Sequence, residues 1–157
     1  MDSDFSYFPM FVNLKDKNIV IFGAGKIAIR RVKSLIKTGC NITIVAPNIL
    51  QDFYNIGYKK LNIIKDSYNI HYLKNAFIVF AITDNSDINN KIYIDCKEKN
   101  IIVNTASDKY KCDFLFPGVI YKEDYTIGVC SNGKNYKLTK NIISILKNFL
   151  YKKDDKI

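Results

Sequence analysis

The pattern Gly23-x-Gly25-x-x-Ala28 has the residue types and spacing of a pyrophosphate-binding turn. Glycine at 23 permits a tight turn, glycine at 25 lets a phosphate come up to the backbone, and a small side chain at 28 permits close helix-to-strand packing. The amides of Lys26, Ile27 and Ala28 open the helix that follows, so they lack an acceptor within it and face an anion. The expected ligand is a dinucleotide; the alternative is a glycine turn kept for packing alone. An acid usually ends the second strand of such a site and binds the ribose, but here that place reads Ala46-Pro47-Asn48. Pro47 and Asn48 are therefore the candidate ribose contacts, through the Asn48 side chain or backbone groups, and the choice between NAD and NADP stays open. Thr83 and Asp84 end a strongly apolar run, where ligands of open α/β sheets gather; the competing role of Asp84 is to cap the next helix. His71 is the only imidazole, and Cys40, Cys96, Cys112 and Cys130 lie far apart with no CxxC pair, so no metal site is expected.

These groups need a scaffold that brings strand ends together, and hydrophobic periodicity supplies one. Asn18–Phe22 (NIVIF) reads as a buried parallel strand that stops at Gly23. From Lys26 to Thr38, Ile27, Ala28, Val32, Leu35 and Ile36 recur at helical spacing, with Arg30, Arg31, Lys33 and Lys37 on other faces and Gly39 as the stop. Asn41–Val45 (NITIV) is a second strand, closing a βαβ unit of about thirty residues. Asn62–Lys65 is a weak strand, Ala76–Thr83 a strong one, Asp87–Lys99 a helix and Asn100–Asn104 a further strand. The alternation predicts a parallel sheet with helices on both faces. Phe114–Ile120 and Tyr125–Cys130 then read as a hairpin around Lys122-Glu123-Asp124. A final helix over Lys137–Tyr151 carries Leu138, Ile142, Ile145, Leu146 and Phe149 on one face, followed by a disordered tail, Lys152–Ile157.

Composition is consistent with this scaffold. The 157 residues include 24 Lys+Arg against 15 Asp+Glu, a net charge of +9, and 48% are hydrophobic, which excludes a disordered or collagen-like chain. No apolar run approaches the roughly 18 residues of a membrane span, and MDSDFSYFPMF reads as neither a span nor a secretory signal. A cytoplasmic protein with reduced thiols and no membrane partner is expected. The basic surplus is almost wholly lysine, Arg30 and Arg31 being the only arginines, and it suits an anionic ligand. Nucleic acid is not the expected partner, because no helix-turn-helix, aromatic stacking motif or zinc knuckle accompanies the charge.

Six segments, in order, resemble the dehydrogenase module of siroheme synthase, the precorrin-2 dehydrogenase family. They are Tyr7–Leu14 (YFPMFVNL), Gly23–Arg31 (GAGKIAIRR), Val45-Ala46-Pro47, Ala81–Asp84 (AITD), Asn104–Pro117 (NTASDKYKCDFLFP) and Thr126–Gly133 (TIGVCSNG). The element Cys112-Asp113-Phe114 is the most specific, since a generic dinucleotide domain would not share it. The resemblance implies an α/β protein: a Rossmann-like parallel-sheet domain binding NAD over residues 1–112, then a small α+β element over 113–157 for dimerisation and substrate binding. The helical domain of longer relatives is expected to be reduced, because one helix closes the chain.

The implied reaction is oxidation of precorrin-2, an octacarboxylate tetrapyrrole, to sirohydrochlorin with NAD⁺ as acceptor, in a homodimer. Counting back from Cys112-Asp113-Phe114 puts Ser107 where the family has an aspartate, with Asp108 one step on. Asp108 as base, Ser107 as an orienting group, and an oxidation needing little base catalysis are the three options. Asn104 belongs to the same loop and is a candidate substrate contact. Ser131 and Lys134 fall in a segment resembling one that contacts tetrapyrrole or metal, with Asn135-Tyr136 replacing the usual Ser-Pro. Two other functions stay open: a bifunctional enzyme that also inserts Fe²⁺, and a non-enzymatic dinucleotide-sensing domain, against which Ala46-Pro47 argues.

Overall fold

A parallel sheet forms where β-branched runs alternate with helices, and the computed structural model, which describes residues 7–106, 108–133 and 135–154, has that architecture. Strands β1 (Asn18–Phe22), β2 (Asn41–Val45), β3 (Leu61–Ile64), β4 (Ile78–Ala81) and β5 (Ile102–Thr105) are all parallel, in the order β3-β2-β1-β4-β5. Helix α1 (Lys26–Leu35) links β1 to β2, and α2 (Ser86–Glu98) links β4 to β5. The two crossovers run in opposite directions from the centre, so the right-handed rule puts their helices on opposite faces. Val20, Phe22, Val79, Ala81 and Val103 pack with Ile92 and Cys96 of α2 on one face. Ile19, Ile21, Ile42 and Ile44 alternate with them along the strands and are buried on the other face; Ala28, Val32 and Leu35 of α1 are buried as well.

Several sequence expectations shift. Helix α1 ends at Leu35 and tightens into a 3₁₀ turn over Ile36–Thr38, closed by Gly39 at φ 76°. Arg31, expected on an outer face, lies on the sheet side, three residues after Ala28 and four before Leu35, while Ile27 is 43% exposed. The strong run at Ala76–Thr83 pairs only over Ile78–Ala81, and β5 starts two residues later than expected.

The chain divides into two compact units, residues 10–114 and residues 7–9 together with 115 onward. The second holds the expected hairpin, β6 (Gly118–Tyr121) antiparallel to β7 (Thr126–Val129), and helix α3 (Tyr136–Asp154). The helix reaches Asp154, so the first three residues of the expected disordered tail are helical. Its apolar positions form two stripes instead of one. Thr139 and Ile143 meet β6 where Gly118 has no side chain: a Cβ built there would lie 3.2 and 2.9 Å from them. Leu138, Ile145 and Phe149, on another side, are exposed.

Candidate functional site

Ligands of open parallel sheets bind outside the carboxyl ends of the strands, where the order reverses; here that point lies between β1 and β4. At the end of β1, Gly23 turns the chain at φ 108° against the end of β4, and a Cβ there would lie 2.5 Å from the Ile82 carbonyl oxygen. Only glycine fits that approach. Ile82 N–H in turn donates to Phe22 at 2.9 Å, fixing the β4 end beside the turn.

Gly25 is different. It caps α1 in an extended conformation, is exposed, and a Cβ built on it meets no atom within 4 Å. No side chain supplies an N-cap bond and no acid stands in the first turn, which leaves the amide end of α1 to an outside anion. Those two observations fit a pyrophosphate. Ala28 is buried, as close packing requires, whereas Lys26 and Ile27 are exposed on the rim. The loop after β2 folds back onto this turn through Leu50 N–H to the Ala24 carbonyl at 3.3 Å, placing exposed Pro47 and Asn48 in the connection between them.

At the end of β4, Thr83 is held by Asn89, a buried residue of α2 that sequence reasoning missed. Thr83 N–H and Oγ1 donate to Asn89 Oδ1 at 3.0 and 2.8 Å, and Asn89 Nδ2 donates to the Thr83 carbonyl at 3.0 Å. The cap of α2 is Asn85, whose Oδ1 accepts from Asp87 and Ile88 N–H at 2.9 and 3.1 Å. Asp84 is not the cap; its carboxylate is exposed on the rim.

The loop after β5 joins the same rim, since Ala106 N–H donates to the Ala81 carbonyl at 3.0 Å. Ser107 lies outside the described residues, as does Lys134. Asp108 is half-buried, with Oδ1 accepting from Tyr110 N–H at 2.9 Å and Oδ2 at 4.0 Å from Lys111 Nζ. The chain then returns along the open edge of β5. Asp113 pairs with Val103 in both directions, its N–H to the Val103 carbonyl at 2.9 Å and its Oδ2 from Val103 N–H at 3.0 Å, and Lys97 Nζ meets its Oδ1 at 2.8 Å. Cys112 Sγ donates to the Thr105 carbonyl at 3.2 Å, and burial pushes its thiol pKa up. The Cys112-Asp113-Phe114 element thus closes a sheet edge that would otherwise stay unpaired.

Asn104, expected to touch substrate, is buried below the rim with both ends of its amide engaged. Arg31 Nη1 donates to its Oδ1 at 2.6 Å, and its Nδ2 donates to the Phe114 carbonyl at 2.8 Å. Ser131, in the other unit, is similarly committed: Oγ donates to the Asn135 carbonyl at 2.7 Å and accepts from Asn135 N–H at 3.2 Å and Thr139 Oγ1 at 2.9 Å, holding the start of α3.

The sequence matches, over residues 10–118, a family model described as "Putative NAD(P)-binding". The chain belongs to this NAD(P)-binding family. Among curated relatives, the "Probable multifunctional siroheme biosynthesis protein HemA" of Ruminiclostridium josui is 36% identical over 146 residues, covering 90% of this chain. The "Siroheme synthase" of Blochmanniella floridana is 36% identical over 129 residues, covering 82%. The chain spans 28% of the length of each. These relatives bear out the resemblance read from the six segments. A solved structure named "SirC, precorrin-2 dehydrogenase" has the same fold, with a TM-score of 0.75 at 24% identity over 90% of this chain and 70% of that one.

Proposed function

We propose that the chain oxidises precorrin-2 to sirohydrochlorin with NAD⁺ as the acceptor. The observation that carries this reading is the meeting, on one sheet rim, of an open glycine-turn helix end and a loop bearing a half-buried carboxylate, in a chain whose relatives are siroheme synthases. The amides of Lys26, Ile27 and Ala28 would hold the pyrophosphate, Pro47 and Asn48 the ribose, and Thr83 with Asp84 the nicotinamide side of the site. When bound, the nicotinamide supplies a hydride acceptor. The protein orients the macrocycle, and Asp108 takes the proton that the macrocycle loses with the hydride, which balances a two-electron oxidation. Asn104 and Ser131 act by shaping their loops, and Lys134 pairs with a substrate carboxylate.

The reading includes a homodimer. Leu138, Ile145 and Phe149 are 47%, 67% and 60% exposed along α3, an apolar stripe suited to a second copy. Light scattering should give twice 18.1 kDa; a monomer at micromolar concentration would remove this part. Activity is tested by anaerobic incubation of precorrin-2 with NAD⁺ and the chain, followed at the absorbance of sirohydrochlorin. Formation that needs both NAD⁺ and the chain supports the proposal, and none above the protein-free rate refutes it.

A further inference from the structure

We propose that Arg31 is a positioning residue for the loop from Thr105 to Phe114, tying the candidate catalytic loop to the helix that opens at the dinucleotide turn. The inference deepens the reading above and rests on it for the chemistry, but its structural content stands separately. Arg31 lies on the sheet side of α1, its guanidinium 4.8 Å over the Phe80 ring and its Nη1 2.6 Å from Asn104 Oδ1. Asn104 passes the contact on through Nδ2 to the Phe114 carbonyl at 2.8 Å, and the Phe114 ring meets Phe80 edge-on at 5.5 Å. Asn104 is the next-to-last residue of β5, just before the loop leaves it, and Phe114 is the residue on which the chain returns. One guanidinium therefore fixes the entry of the loop directly and its exit through one amide.

The choice of arginine follows from this geometry. A planar group can lie over a ring and still direct an N–H in its own plane at a carbonyl-type oxygen, which a lysine ammonium cannot reproduce. Burial lowers the Arg31 pKa to about 10, so the group stays charged at neutral pH and the bond to Asn104 stays charge-assisted. Asp113 and Cys112 pin the returning strand along its edge, but they do so from within the same segment. Arg31 and Lys97 reach it from helices, and Arg31 does so from the one that begins at Gly25.

Three variants of the chain test this: Arg31→Met, Arg31→Lys and the double variant Arg31→Met/Asn104→Leu. Amide hydrogen exchange in Arg31→Met should speed up about tenfold or more over residues 105–114 while β1 and β4 keep their protection. With precorrin-2 as substrate, kcat should fall about tenfold or more, because small misplacements of reacting groups are costly, while the Kd for NAD⁺ changes less than threefold. Arg31→Lys should recover part of kcat, and adding Asn104→Leu to Arg31→Met should cause little further loss, since both break one connection. Unchanged exchange in the loop would overturn the proposal. So would faster exchange spread evenly over α1 and the sheet with kcat and NAD⁺ affinity falling together, the signature of a merely structural role. If the wild-type chain does not oxidise precorrin-2, the reaction assignment fails, and the exchange pattern alone still decides whether Arg31 holds the loop.

Discussion

Two glycines two residues apart should respond to the same substitution differently, one chiefly in stability and the other chiefly in binding. A methyl group at Gly23 would lie 2.5 Å from the Ile82 carbonyl oxygen and 2.8 Å from its carbon, on a backbone held at φ 108°. Forcing a side chain into that backbone region costs about 1–3 kcal/mol, and overpacking against a neighbouring strand about 1–3 kcal/mol more. Domains are stable by only about 5–15 kcal/mol, and one of this size loses about 2–4 °C of Tm per kcal/mol. Gly23→Ala should therefore melt about 5–20 °C below wild type. At Gly25 the same methyl meets nothing within 4 Å, and the extended backbone suits alanine. Gly25→Ala should lower Tm by no more than about 4 °C, the cost of a poorer cap. Its NAD⁺ affinity should fall at least tenfold, about 1.4 kcal/mol, because the methyl occupies the space through which a phosphate reaches the amides. Thermal melts and titration calorimetry read both numbers. Equal Tm for the two variants would refute the packing argument, and unchanged NAD⁺ affinity in folded Gly25→Ala would refute the binding argument.

Asp108→Asn keeps an oxygen to accept from Tyr110 N–H, so it should fold normally and bind NAD⁺ as wild type while precorrin-2 oxidation slows roughly 10²-fold or more. Steady-state rates check this, and a rate within threefold of wild type would mean that Asp108 is not the base. Asn85→Ala removes both cap bonds of α2 and should cost about 1 kcal/mol, seen as a Tm lower by about 2–4 °C. Ellman's reagent at pH 8 should label exposed Cys130 first, half-buried Cys112 slowly, and buried Cys40 and Cys96 only on unfolding. Burial raises the Cys96 thiol to about 12, above its unfolded value, so its contribution to stability is whole below the usual thiol pKa and is lost as pH rises toward 12; denaturant midpoints across alkaline pH should decline in that sense.

The central sheet was legible because its information is local. Asn18–Phe22 and Asn41–Val45 are β-branched runs bounded by turn residues, and the structure keeps both boundaries unchanged. The glycine turn was legible for the same reason. Residues whose meaning depends on distant partners were not. Asn104 reads as a polar strand end until Arg31, 73 positions away, is seen to occupy its oxygen. Arg31 did carry a signal: it falls at i+3 from Ala28 and i−4 from Leu35, on the buried stripe, but its charge argues for an outer face unless a buried acceptor and an aromatic ring are known to await it. Helix α3 is apolar on two stripes, and periodicity alone cannot rank them. The approach of Gly118 to Ile143 chooses the packed one. Asp84 and Asn85 are both competent caps next to one another, so residue type cannot rank them, and in the structure Asn85 takes the role.

The central claim is that this rim couples a hydride lost by a tetrapyrrole to a dinucleotide. Rapid anaerobic mixing of the chain with limiting precorrin-2 and excess NAD⁺, read at the absorbances of NADH and sirohydrochlorin together, tests it most directly. The expected result is one NADH for each sirohydrochlorin, with both appearing at a single rate and neither appearing with Gly25→Asp, whose added charge sits against the helix amides. Sirohydrochlorin formed without NADH, or at the same rate with Gly25→Asp, would contradict the claim.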